Sequence, residues 1–153
     1  GRLSKTPGLA YEQANVAPNS TLPVQEIGYN YRVSFDIDGT KEAMGTELFR
    51  SQDAVFYLSD PISGMLGFAR DGYLNTFTYN VQPGQRMNIA IEGDNKATRL
   101  FINGKQVEEL NIQERWMDKE GKSRMRNVRT LVFPLEKAGN FQSKITNLKV
   151  WQK

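Results

Sequence analysis

Residues 86–108 read RMNIAIEGDNKATRLFINGKQVE, and this stretch decides the fold. Apolar residues alternate with polar ones in RMNIAIE and again in TRLFI, which is the two-residue period of a strand with one buried face. Residues 93–96 form a turn between these two runs. Asn103-Gly104 ends the second run and supplies the two positive-φ residues that a type I′ hairpin turn requires. The stretch therefore predicts three consecutive antiparallel strands.

Further strands are predicted on both sides of this meander, separated by Gly, Pro, Asn and Asp turn signals. They cover residues 29–37, 46–50, 54–59, 65–70, 73–79, 128–135 and 144–151, with shorter strands near 9–12 and 21–25. Residues 54–59 are apolar on both faces, which predicts a central or covered strand. No helical period is sustained, so the pattern predicts an all-β sandwich or barrel. We expect residues 1–153 to be one domain cut from a longer parent protein.

Composition excludes several kinds of chemistry. The 153 residues contain no cysteine and no histidine. The sequence therefore offers no disulfide framework, no thiolate metal site and no serine–histidine triad, and it lacks the commonest transition-metal ligand. No organic cofactor is predicted.

The charge pattern is that of an ordinary soluble surface. The formal net charge is +3 and the sequence pI is about 9.2, but charges of both signs are interspersed. We therefore expect no nucleic-acid partner. No apolar run approaches the roughly 18 residues of a membrane span, so no transmembrane segment is predicted.

The regular spacing of predicted strands is interrupted at residues 108–127, which predicts a long loop or a helical turn there. This segment holds Trp116 and most of a basic cluster. The cluster consists of Arg115, Lys119, Lys122, Arg124, Arg126 and Arg129. It is either a solvated surface or a site for an acidic glycan, a nucleic acid or a neighbouring domain.

The residues of the meander and its flanks resemble the concanavalin A-like lectin and glucanase superfamily, which includes laminin-G-like domains. The resemblance rests on RMNIAIEGDNKATRLFINGKQV, on the strand from Tyr29 to Phe35, on Leu66-Gly67-Phe68 and on the closing strand from Phe141 to Trp151, where Ser143 replaces a usual glycine. It implies a two-sheet antiparallel jelly-roll sandwich.

A narrower resemblance concerns AVFYLSDPISGMLGFARDGYLNTF and LVFPLEKAGNFQSKITNLKVW. These runs look like the C-terminal accessory domain of Bacteroides-type family 20 β-N-acetylhexosaminidases. This resemblance implies a non-catalytic accessory module of a glycoside hydrolase, located outside the cytoplasm in the periplasm, on the cell surface or in the medium. The implied partners are a glycan that contains N-acetylhexosamine or acidic sugars, the catalytic domain of the same parent chain, or both.

Sugar binding requires aromatic rings for stacking, with amide and charged groups for the hydroxyls. The candidate carbohydrate-binding residues are Arg70, Asp71, Tyr73, Asn75, Tyr79 and Trp116. The alternative for the tyrosines is that their rings pack against the core while their hydroxyl groups contact solvent.

Catalytic carboxylates are not evident. The glucanase array E-x-D-x-x-E is absent, and so is the adjacent Asp-Glu pair of family 20 enzymes. We expect no catalysis by this chain; the alternatives are a hydrolase with a rearranged pair among Asp36, Asp38 and Glu47, or a laminin-G-like protein-interaction domain. Calcium binding is an alternative role for four aspartates in turns, whose occurrence is explained equally well by turn formation. These are Asp53, Asp60, Asp71 and Asp94.

Overall fold

Strands account for most of the regular structure in this chain. The computed structural model describes residues 8–23, 27, 30–70, 73–94, 96–110, 112–128 and 134–152. The strands are β1 (Gly8–Val16), β2 (Tyr31–Asp38), β3 (Thr46–Arg50), β4 (Ala54–Ser59), β5 (Gly67–Arg70), β6 (Tyr73–Thr76), β7 (Arg86–Gly93), β8 (Thr98–Ile102), β9 (Lys105–Leu110), β10 (Ile112–Met117), β11 (Ser123–Val128), β12 (Lys137–Ala138) and β13 (Lys144–Gln152). Within these ranges no helix is long and apolar enough to span a bilayer.

Two antiparallel sheets form the sandwich. The first has six strands in the order β1-β13-β2-β7-β8-β9, and the second has five in the order β12-β3-β4-β5-β6. Strands β10 and β11 pair with each other as a separate hairpin. The architecture is a two-sheet jelly roll, so the predicted fold class is confirmed. The position of β4 at the centre of its sheet explains why both of its faces are apolar.

The meander of residues 86–108 forms β7, β8 and most of β9, as predicted. Met87, Ile89 and Ile91 are buried on one face of β7. Asn103 and Gly104 have φ values of 51° and 81°, as a type I′ turn requires. The Asn103 side chain also accepts a hydrogen bond from the Asn88 backbone N–H at 2.9 Å.

This turn allows a local test of the meander. We expect Asn103→Ala to lower the free energy of unfolding by about 1–2 kcal/mol, because alanine disfavours the left-handed region and lacks the side-chain acceptor. Asn103→Gly retains the backbone freedom and should cost less. Urea denaturation measures both variants. Equal stability of the alanine variant and the unaltered chain would contradict the expectation.

Aromatic rings join the two sheets in the core. Phe35 of β2 meets Phe49 of β3 edge to face, with the ring centroids 6.0 Å apart. Phe56 of β4 contacts both Phe68 of β5 and Phe77, at 6.3 Å and 6.4 Å between centroids. These contacts bury the inward faces that strand periodicity predicts.

The prediction of a long loop over residues 108–127 is wrong. The chain instead continues through the end of β9 and then forms the β10–β11 hairpin. The Asp118 carboxylate closes the hairpin turn by accepting hydrogen bonds from the backbone N–H groups of Glu120 and Lys122, both at 2.9 Å. Trp116 therefore lies in a strand. The segment contains charged residues where a half-buried strand would alternate apolar and polar ones. A hairpin held mainly by backbone pairing does not need that alternation, so the sequence pattern did not predict it.

Several other predicted strands differ in extent. The predicted strands 65–70 and 73–79 are shortened to β5 and β6. β1 runs to Val16, beyond the predicted 9–12, and Thr21 forms only an isolated bridge with Lys137. Of the predicted 128–135 strand, Val128 ends β11, Pro134 and Leu135 lie outside any strand, and residues 129–133 lie outside the described residues. The closing strand at 144–151 is confirmed as β13.

Candidate functional site

The β5–β6 hairpin carries three of the predicted sugar-binding residues. Arg70 ends β5 and Tyr73 begins β6, and the two are Cα partners across the hairpin. Asn75 is the partner of Phe68 one step further along. Paired residues share one face of a sheet, so these side chains lie on the core-side face where it reaches the rim of the sandwich. Asp71 lies outside the described residues.

Arg70 contacts an aromatic ring and a carboxylate, and it makes no hydrogen bond through its side chain to the residues that the structure describes. Its guanidinium carbon lies 5.7 Å from the centre of the Phe68 ring, within the range of a cation–π contact. An Asp53 carboxylate oxygen approaches the guanidinium at 3.7 Å, which is an ion pair too long for a hydrogen bond. The Arg70 Nε atom is buried and has no hydrogen-bond partner.

A recess of about 240 Å³ opens beside this arginine at the end of the five-stranded sheet. It is lined by Arg50, Ser51, Gln52, Asp53, Ala54, Val55, Ala69 and Arg70. Arg50, Val55 and Ala69 are successive Cα partners across β3, β4 and β5, which places them in one row. Val55 and Ala69 lie on the outer face of the sheet, whereas Tyr73 and Asn75 lie on the core-side face and do not line the recess. The β3–β4 turn and the end of β5 thus combine an apolar floor with two guanidinium groups and amide and hydroxyl groups.

Arg50 stands at one side of the recess and is held by its own strand. Its guanidinium donates two hydrogen bonds to the Glu47 carboxylate, at 2.7 Å and 2.8 Å. The hydrogen bond from Arg50 to Glu47 and the negative charge of Glu47 raise the pKa of Arg50 above its ordinary value. Tyr57 is the Cα partner of Glu47. Arg50 is therefore a neutralised, oriented group, unlike Arg70.

Sequence reasoning missed the β3–β4 part of this recess. Ser51-Gln52-Asp53 carries only a turn signal in the sequence. The approach of Asp53 to Arg70 depends on the pairing of β4 with β5, which places Ala54 opposite Arg70. No local pattern reports that pairing.

The hairpin with Trp116 lies next to the same sheet. Strand β10 approaches β6, with Cα atoms within 8 Å. The Cα partner of Trp116 is Arg124. The Trp116 side chain lies outside the part of the structure that is described, so its role in binding stays a prediction.

The described part of the basic cluster is partly neutralised. Arg124 donates a hydrogen bond to Asp118 at 2.6 Å. That bond, with the backbone N–H groups of Lys122 and Glu120, holds the pKa of Asp118 below its ordinary value. Lys119 and Lys122 are exposed. Among the side chains that can be described here, this arrangement fits a solvated hairpin turn.

Tyr79 is not brought to the rim with Arg70 and Tyr73. Strand β6 ends at Thr76, and the Tyr79 backbone pairs with Leu66 at the opposite end of the hairpin. Its hydroxyl contacts the Met87 sulfur, and burial raises the pKa of Tyr79. Its ring packs against the core.

The carboxylates of the hydrolase alternative lie on different sheets. Asp36 and Asp38 are both on β2 and Glu47 is on β3, so the sandwich separates Glu47 from the other two. Burial acts to raise the pKa of Asp36, but hydrogen bonds from Asn147 and Asn88 and the charge of Arg86 outweigh it and lower the pKa. A general acid needs a raised pKa. Asp36 in this environment is a structural carboxylate.

Two of the turn aspartates use their carboxylate oxygens to accept hydrogen bonds from neighbouring groups of the chain. Asp60 accepts hydrogen bonds from the Ile62 and Ser63 backbone N–H groups at 2.7 Å and 2.6 Å. Asp94 binds the Ala97 N–H at 3.0 Å and the Arg99 guanidinium at 2.7 Å. Among the described residues, no group of three or more acidic, histidine or cysteine side chains could hold a metal ion.

The fold is similar to those of known lectin and glycosidase structures. Galectin LEC-6 of Caenorhabditis elegans superposes with a TM-score of 0.55 at 13% identity, over 91% of this chain and 94% of that chain. A leech intramolecular trans-sialidase complexed with 2,7-anhydro-Neu5Ac gives 0.52 at 16% identity, over 96% of this chain and 26% of that chain. No protein-family model matches the sequence, and no curated protein matches it. At these identities the likeness shows the fold alone, a jelly roll similar to that of a galectin.

Proposed function

We propose that this chain is a non-catalytic carbohydrate-binding module that holds its glycan at the rim of the five-stranded sheet. The observation that carries the proposal is the 240 Å³ recess at the end of β5, where Arg50 and Arg70 border an apolar floor of Val55 and Ala69. The structural likeness to a galectin supports a carbohydrate partner.

The chemistry of the rim suits a sugar ring. The apolar floor of Val55 and Ala69 can cover the C–H face of a pyranose. Gln52 and Ser51 supply amide and hydroxyl groups for the ring hydroxyls. Well-formed ligand pockets enclose about 300–1,000 Å³. A recess of about 240 Å³ is smaller, and it therefore fits one or two sugar units at modest affinity.

The proposal extends to the context of the chain. Its resemblance to the accessory domain of family 20 β-N-acetylhexosaminidases supports a glycoside hydrolase as parent, with this module keeping the catalytic domain near its substrate. Such a parent works outside the cytoplasm. Linking a weak sugar-binding module to a catalytic domain raises the effective substrate concentration without any new catalytic contact.

Calorimetric titration tests the binding. We expect the chain to bind at least one of a chito-tetraose and an acidic tetrasaccharide, and Gln52→Ala to weaken that binding about tenfold, or about 1.4 kcal/mol, because an amide that can hydrogen-bond the sugar hydroxyls is lost from the recess. Gln106→Ala is the matched control, because it removes an exposed amide from the opposite sheet.

Two results would contradict the proposal. The first is the absence of heat with every glycan while circular dichroism shows a folded chain. The second is an equal loss of affinity in the Gln52 and Gln106 variants, which would mean that the rim of the five-stranded sheet is not the binding surface.

A further inference from the structure

The guanidinium of Arg70 has few polar partners for a partly buried charged group. A guanidinium has five N–H donors, yet the partners of Arg70 among the described residues are the 3.7 Å ion pair to Asp53 and the ring contact to Phe68. Its side chain is 26% exposed and its Nε is buried without a partner. Buried donors in native proteins are almost always paired, so this atom needs an explanation.

The other arginines with described side chains show how this chain normally pairs the group. Arg32, Arg50, Arg99 and Arg124 each donate a hydrogen bond of 2.6–2.8 Å to a carboxylate. Arg86 lies 3.6 Å from Asp36 but is 60% exposed, and water can solvate it. Arg70 combines partial burial with the absence of a hydrogen bond.

The Arg70 side chain is 26% exposed, so an anion from outside the chain can approach it although Nε itself is buried. The Arg70 guanidinium lies near the Phe68 ring, and Arg70 borders the recess. Two arginines and a single acid line that recess. The acid, Asp53, has a side chain that is 68% exposed, so it can turn into solvent when another anion arrives.

We propose that the recess selects glycans that carry a carboxylate, with Arg70 as the residue that recognises it. The inference rests on the proposed carbohydrate-binding function and names the class of sugar. A planar carboxylate accepts two parallel hydrogen bonds from one guanidinium. The carboxylate of a uronic or sialic acid can therefore pair with Arg70 while the sugar ring lies against the apolar floor of Val55 and Ala69.

Matched sugars test the inference. Tetragalacturonate is compared with its fully methyl-esterified form, and 3′-sialyllactose with lactose, which separates uronic from sialic acids. We expect at least one acidic member to bind tenfold or more tightly than its neutral partner at constant ionic strength. The ¹H–¹⁵N signal of Arg70 Nε should shift with the acidic sugar and remain in place with the neutral one.

Variants assign the preference to Arg70. Arg70→Gln should abolish the difference within each pair, and Arg70→Lys should keep part of it, because lysine has the charge without the planar fork. Arg86→Gln, an arginine on the opposite sheet, should leave the difference unchanged. If Arg70→Gln fails to fold, the Arg70→Lys variant and the Nε signal of the unaltered chain still decide the question.

The outcomes separate the two proposals. Equal affinity for the acidic and neutral members overturns the carboxylate inference and leaves the carbohydrate-binding function standing. Loss of the preference in Arg86→Gln also overturns it, because the effect would then be one of general charge. Failure of all four sugars and of chito-tetraose to bind overturns the proposed function, and the inference falls with it.

Discussion

Gly139→Ala should destabilise the fold by about 3 kcal/mol or more, because a methyl group at this position has no space. A Cβ atom built on Gly139 would lie 2.0 Å from the Glu47 carbonyl oxygen and 2.3 Å from its carbon. Real Cβ atoms do not approach backbone that closely, so one of the two chain segments must move. Most domains of this size have a stability of 5–15 kcal/mol, and the variant would lose a large part of it.

The movement would disrupt the edge of the five-stranded sheet. The Gly139 N–H donates to the Leu48 carbonyl at 2.9 Å, and the Asn19 N–H donates to the Gly139 carbonyl at the same distance. The preceding residue, Ala138, is paired with Phe49 in the β12–β3 ladder. Shifting the chain at Gly139 would lengthen these bonds together.

Urea denaturation followed by tryptophan fluorescence measures this effect. Gly8→Ala is the matched control, because a Cβ there meets nothing within 4 Å, and its effect should stay within about 0.5 kcal/mol. A Gly139→Ala variant as stable as the unaltered chain would mean that the segment after β12 yields to Glu47 at little cost, and the expectation would be wrong.

Asp60→Ala should have the second-largest effect, about 3 kcal/mol, because the β4–β5 turn is built around this carboxylate. Asp60 is 0% exposed. It accepts hydrogen bonds from three backbone N–H groups, those of Ile62, Ser63 and Met65, and from the Ser63 hydroxyl. Removing the acceptor leaves these donors without a partner, at a cost of about 1–3 kcal/mol each where water cannot reach them. Ile62 is 77% exposed, so some donors regain water and the total stays below the full sum.

Asp60→Asn should cost less, since it retains one acceptor oxygen and the shape of the side chain. Asp53→Asn, in the exposed turn at the other end of β4, is the control and should change the free energy of unfolding by less than about 0.5 kcal/mol. Thermal and urea unfolding of the three variants give the ranking. An alanine variant no less stable than Asp53→Asn would refute the structural role of Asp60.

The contribution of Asp60 should depend on pH in a defined direction. Burial acts to raise the pKa of Asp60, but hydrogen bonds from Ser63, Ile62 and Met65 outweigh burial, and the pKa in the folded chain lies below the ordinary value. The carboxylate therefore stabilises the fold fully above the unfolded pKa of about 3.9, and this stabilisation is lost as the pH falls through the lower, folded pKa. The stability gap between the unaltered chain and Asp60→Asn should be constant from about pH 5 to 7 and shrink below about pH 4. A gap that persists undiminished at about pH 2 would contradict this assignment.

The candidate site was only partly visible in the sequence. Arg70 and Tyr73 could be placed together, because the short turn between them makes them neighbours across a hairpin. Tyr79 could not be excluded from the group, since nothing in the residue pattern shows that β6 ends at Thr76. Arg50 and Asp53 could not be included, because they reach Arg70 only through the pairing of three strands.

The sequence by itself determined the faces of the strands and the turn of the meander. Side chains alternate across a strand whatever its neighbours, and Asn103-Gly104 adopts positive φ because of its own local chemistry. Tertiary structure alone decided that Gly139 meets Glu47, that β10 lies beside β6, and that Arg70 faces the recess. These contacts join segments far apart in the chain. They follow from how two whole sheets bury their apolar faces against each other, which no local pattern of residues records.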